Sequence, residues 1–183
     1  HHNWSLSTNY GANLLEPSRN PKNNIVFQVF LACVIRAVDV HADLLRASIA
    51  VPGNDTRLGA NEAPPAIMSV FLGSEIDGVV RWLLKGGLEQ TSEGLATTLN
   101  IASGVAPFQR DGTDRNRTSP FAFTGNKFEF RAAGSSQSVG HVPTILNAIV
   151  ADSVDVFTNE VQALIDDSKL TTTEAVATVM KKF

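Results

Sequence analysis

The sequence predicts an α+β domain in which helices pack on a mostly antiparallel sheet. Three observations predict it. Two long stretches, "NIVFQVFLACVIRAV" and "VPTILNAIVADSVDVFTNEVQALID", repeat apolar residues at helical spacing. A third, "NKFEFRAA", alternates with period two, as a half-buried strand does. The 183 residues are about one domain's worth and enough to bury one substantial core.

Taken in order, His1 to Leu15 reads as a short strand followed by a turn at Asn9–Gly11. Asn20 to Lys22, with Pro21 in the first turn, starts a helix that runs to about His41. Its apolar residues lie nearly all round, which predicts a buried helix. "DLLRASIAV" fits either a continued helix or a strand. Residues 52–65, with three prolines and two glycines, form a loop. A second helix is expected from about Pro65 to Lys85, ended by Gly86 and Gly87. Residues 88–112 are ambiguous, with "TTLNIASGV" a possible strand. Asn126 to Ala133 is a strand, Val142 to Asp166 a long helix, and the Thr171 to Glu174 capping box opens a last helix.

Composition excludes several classes. With 43% hydrophobic and 18% charged residues the chain is globular, not disordered. A net charge of −3 argues against a protein that coats nucleic acid. Cys33 is the single cysteine, so there is no internal disulfide; it fits a reducing compartment and a buried, inert thiol. The apolar run from Ile25 to Val38 is broken by Gln28 and Arg36 and is too short for a membrane span. No signal peptide is visible, and the expectation is a cytoplasmic protein without a membrane partner. Both ends look cut: the chain opens directly on a motif-like stretch and closes inside a helical pattern.

Four features could carry chemistry. In "HHNWS", strand alternation puts His1, Asn3 and Ser5 on one face, an imidazole for a metal beside two polar groups for a phosphate. A purification-tag remnant or an exposed strand end is the plain alternative. Arg57 and Glu62 lie in the Gly/Pro-rich loop, suited to a flap over a site or to a simple surface loop. Arg115 and Arg117 can converge on one anion, or form a solvated turn balanced by Asp111 and Asp114. Lys127, Glu129 and Arg131 share one strand face, with Phe128 and Phe130 on the other. Mixed charges on a strand face are common, but a carboxylate held between two cations is also a ready ligand for a hard cation such as Mg²⁺. A hydrolase triad is not available, because His1, His2, His41 and His141 lie in no nucleophile context.

Together and in order, "HHNWSLST", "NDTRLGANEAPPA" and "TDRNRTSPFAFTGNKFEFR" with the following "GSS" resemble glutamine synthetase, specifically its type III class. The resemblance runs from His1 to about Glu160. It implies a glutamine-synthetase-type catalytic domain, with residues 1–183 an incomplete part of it truncated at both ends. The family's small N-terminal β-domain and its first metal-binding carboxylates would lie upstream of His1. The implied activity is ATP-dependent ligation of ammonia to L-glutamate through a γ-glutamyl phosphate, with Mg²⁺ or Mn²⁺ bound, and no appreciable activity in these residues alone. His1 and Glu129 match metal ligands; Asn3, Ser5 and Lys127 match positions at the nucleotide. Arg57 matches the arginine holding glutamate, and Arg131 an arginine on substrate carboxylate or phosphate. Glu62 matches the flap glutamate that helps take a proton from ammonium, and Arg117 the arginine on the transferring phosphate. In type I enzymes a second arginine lies five residues after the one matching Arg117; here Ala122 stands there. The resemblance further implies a homo-oligomer, a large dodecameric ring. Another γ-glutamyl-amine ligase of this fold, or a non-catalytic homologue acting as a binding or assembly partner, is the alternative; Glu62 favours ammonia.

Overall fold

A computed structural model describes residues 1–55, 67–87, 98–99, 108–109, 119–134 and 136–183. It is a mixture of helix and sheet. Strand β1 spans His2–Trp4, and helices α1, α2 and α3 span Ile25–Val40, Ala42–Ala47 and Pro52–Asp55. Strand β2 (Val70–Phe71) leads into α4 (Gly73–Leu84). Strands β3 (Thr98–Leu99) and β4 (Phe108–Gln109) pair antiparallel with each other. Strands β5 (Phe121–Phe123) and β6 (Phe128–Phe130) are followed by α5 (His141–Ser168) and α6 (Thr172–Met180).

The main sheet has the order β1-β6-β5-β2. Its β1–β6 and β6–β5 pairings are antiparallel, and β2 lies parallel to β5. The β5–β6 turn depends on Gly125, whose φ of +84° is a left-handed conformation that costs other residues energy. Thr124 N–H donates to the Lys127 carbonyl across it at 2.8 Å.

One face of the sheet is aromatic. Phe121, Phe123, Phe128 and Phe130 are buried, and Phe121 stacks on Phe128 with centroids 4.4 Å apart. Fully burying each ring stabilises the fold by about 1.5–3 kcal/mol. Helices α1 and α5 cover this face through Phe27, Leu31, Val34, Val142, Leu146 and Ile149. A second core, around Cys33, Phe157, Val161, Ala175 and Val179, joins α1, α5 and α6. Helix α1 therefore contributes to two cores, as its near-continuous apolar surface predicts. No helix among the described residues is long and apolar enough to cross a membrane.

Several boundaries differ from the expectations. Pro21 opens only a single 3₁₀ turn, and α1 begins at Ile25, because the Asn24 side chain caps it by accepting from Phe27 N–H at 3.1 Å. The ambiguous "DLLRASIAV" begins as the helix α2. The helix expected from Pro65 gives way at Val70–Phe71 to a strand, since Gly73 sits at φ +79° and interrupts any continuous right-handed helix there. The helix does end as expected, with Gly86 at φ +80°. Strand β6 is shorter than the 126–133 run, although Arg131 N–H still donates to the Pro120 carbonyl at 2.8 Å. Strand β5 was not anticipated. The turn near Asn9, the long helix and the capping box all occur where expected.

Candidate active site

Strand register assembles the site. Asn3 lies across from Glu129, with His2 opposite Phe130 and Trp4 opposite Phe128. Alternation turns Phe128, Phe130 and Trp4 into the aromatic core, so Asn3 and Glu129 face the other way. The residues one step beyond, His1 and Ser5 on one side and Lys127 and Arg131 on the other, share that outer face. Six sequence-predicted site residues thus come together on one surface, with the core beneath them.

Glu129 is its centre. His1 Nδ1 lies 2.6 Å from Glu129 Oε1. The Arg131 guanidinium grips the other oxygen, donating from Nη2 at 2.7 Å and from Nε at 3.2 Å. The guanidinium–carboxylate contact is charge-assisted, the stronger kind of hydrogen bond. Exposure is graded across the trio: the Arg131 side chain is 8% exposed, Glu129 20% and His1 65%. The arginine is therefore the buried side of the trio, and the imidazole the side that faces solvent.

The neighbours are held by local bonds. The Ser5 hydroxyl lies 2.7 Å from Asn13 Oδ1 and 3.2 Å from the Asn126 carbonyl. Asn13 Nδ2 donates to the same carbonyl at 2.8 Å, pinning the β5–β6 turn to the segment after β1. Lys127 Nζ reaches the Thr124 carbonyl at 3.5 Å. Ala122, the position where type I enzymes carry an arginine, is paired directly with Glu129.

Arg57, Glu62 and Arg117 lie outside the described residues, as does Arg115. The end of α3, the last described stretch before Arg57 and Glu62, is nonetheless tied beside Arg131. Buried Asn54 donates from Nδ2 to the Ile49 carbonyl at 3.0 Å and to the Ala132 carbonyl at 2.9 Å. Gln137 adds a second tie, donating to the Ser48 carbonyl at 2.7 Å while accepting from Gly134 N–H. Asn13, Asn54 and Gln137 carried no signal in the sequence, because each acts through backbone carbonyls far along the chain.

Among the described residues, no group of three or more His, Cys, Asp or Glu side chains gathers to hold a metal ion. His1 Nδ1 and Glu129 Oε1 are two convergent donors, and a divalent cation such as Mg²⁺ takes about six. The pair fits such an ion in part, with the remaining positions left for substrate oxygens, water or other residues.

A helix-backed sheet with a charged, polar outer face of this composition suits the handling of anions and a cation together. No family model matches the chain. It is 56% identical over 161 residues to the type-3 glutamine synthetase of Dictyostelium discoideum, covering 88% of this chain and 22% of that protein. It is 46% identical over 187 residues to a glutamine synthetase of Bacteroides fragilis, covering 100% of this chain and 25% of that protein. A glutamine synthetase of Butyrivibrio fibrisolvens is 50% identical over 140 residues, 76% of this chain and 20% of that one. The chain belongs to the glutamine synthetase family. It spans about a fifth to a quarter of the length of these curated relatives.

Proposed function

We propose that the protein to which this chain belongs joins ammonia to L-glutamate, using ATP, and that these residues form one wall of its catalytic domain. The observation that carries this reading is the convergence of His1 and Arg131 on Glu129, on the face shared with Asn3, Ser5 and Lys127. The similarity to three glutamine synthetases supports it.

In this reading His1 and Glu129 would hold Mg²⁺ or Mn²⁺, their mutual contact opening to admit it. A bound cation supplies neutralisation of phosphate charge, the main need in a transfer between two anions. Asn3, Ser5 and Lys127 line the nucleotide end, Ser5 as part of the corner with Asn13 and Asn126. Arg117 holds the transferring phosphoryl group and Arg57 the glutamate. Arg131, oriented by Glu129, reads a substrate carboxylate or phosphate by its planar fork. The glutamate γ-carboxylate oxygen attacks the γ-phosphorus of ATP, releasing ADP and leaving γ-glutamyl phosphate. Glu62 takes a proton from ammonium; the free ammonia attacks the acyl carbon, the bond from that carbon to the phosphate oxygen breaks, and the surplus proton on nitrogen leaves with the phosphate to give the amide. Assembly as a large homo-oligomeric ring and a cytoplasmic location belong to the same proposal.

The test uses the intact parent protein with glutamate, hydroxylamine, ATP and Mg²⁺. γ-Glutamyl hydroxamate is the expected product. No turnover by the folded, assembled protein would overturn the ligase reading.

A further inference from the structure

Beyond the residues that face substrate, we propose that Asn147 on α5 is a positioning residue, locking the register of β1 that sets His1 against Glu129. The proposal rests on the ligase reading above. Strand β1 has three residues and pairs, among the described residues, only with β6. Three residues of ladder hold a register weakly, and a slip of one would turn His1 and Asn3 toward the aromatic core. Trp4 prevents this. Its ring is buried, tilted against Phe121 and Phe128 at centroid distances of 6.3 and 6.5 Å. Its indole N–H donates to Asn147 Oδ1 at 2.8 Å.

A buried indole needs an acceptor, and this one is mounted on a fixed post. Leu146, Ile149 and Val150 on the same helix are packed into the core. A slip of two residues would restore the faces but carry Trp4 about 7 Å along the strand, out of reach of Asn147. The aromatic contacts set the depth of β1, and the single hydrogen bond sets its position along β6. The His1–Glu129 distance follows from both.

The experiment measures Mn²⁺ affinity of the intact apo protein by titration calorimetry, alongside hydroxamate synthesis. Asn147→Leu, close in volume but without an acceptor, is expected to weaken Mn²⁺ binding roughly threefold to tenfold, the worth of one hydrogen bond. Asn147→Asp keeps the acceptor and is expected to restore affinity, which a merely space-filling role would not do. Should Asn147→Leu not fold, Trp4→Phe removes the donor and keeps a ring, with the same expected loss. Unchanged affinity in the acceptor-less or donor-less variant, or an Asp variant as weak as Leu, overturns the proposal. Glu129→Gln separates the two readings: if it too leaves Mn²⁺ affinity unchanged, the metal site itself is wrongly placed.

Discussion

At Glu129 the two carboxylate oxygens have different partners. One is gripped by a nearly buried guanidinium, and the other meets an exposed imidazole. Removing the charge while keeping the shape therefore affects function more than folding. Glu129→Gln in the intact protein is expected to lower Mn²⁺ affinity more than about tenfold, with an unchanged circular dichroism spectrum. Cys33 is the contrasting residue, with chemistry but no access. It is fully buried, and burial pushes its thiol up to about 12 against the pull of Arg36. It stays a thiol at neutral pH, and alkylation of the Cys33 peptide followed by mass spectrometry should appear only under denaturing conditions. The sign of the pH effect follows. In the unfolded chain the thiol ionises near 8.5, so its contribution to stability is whole below that pH and declines as pH rises toward about 12.

The elements differ in how far the sequence revealed them. Helix α5 and the capping box of α6 were legible because both signals are local: apolar spacing in one, Thr171 and Glu174 three residues apart in the other. The start of α1 was not, since Pro21 and Asn24 both signal a start and only the asparagine side chain reaches a free N–H. Strand β2 was missed because two residues carry no periodicity and its partner β5 lies far along the chain. The β5–β6 turn gives an element-scale prediction. Gly125→Ala forces a side chain into the left-handed region at φ +84° and should cost about 1–2 kcal/mol, read as a lower denaturation midpoint. The acid side of α6 is also set by its cap. Hydrogen bonds from Thr171 hold the Glu174 carboxyl below its usual range. Its contribution is therefore present at neutral pH and lost as pH falls through that lowered value.

At the scale of the molecule, the site is a charged layer on an aromatic one. Phe128 stacks on Phe121 and meets Phe123 edge-on at 5.2 Å, directly beneath the residues that carry charge. Phe128→Ala should cost about 3–5 kcal/mol, measured by denaturation, and weaken Mn²⁺ binding through the loosened sheet. The charged layer was legible from "NKFEFR", since alternation alone separates Lys127, Glu129 and Arg131 from the two phenylalanines. What holds it was not: Asn54 and Asn147 act on partners 78 and 143 residues away. Those spans also bear on synthesis. Trp4 leaves the ribosome long before its acceptor does, by roughly 7–30 s at about 5–20 residues per second. Strand β6, the neighbour of β1 among the described strands, emerges only shortly before that acceptor, and until it does the edge of β1 that β6 covers is open to any chaperone or strand that reaches it first.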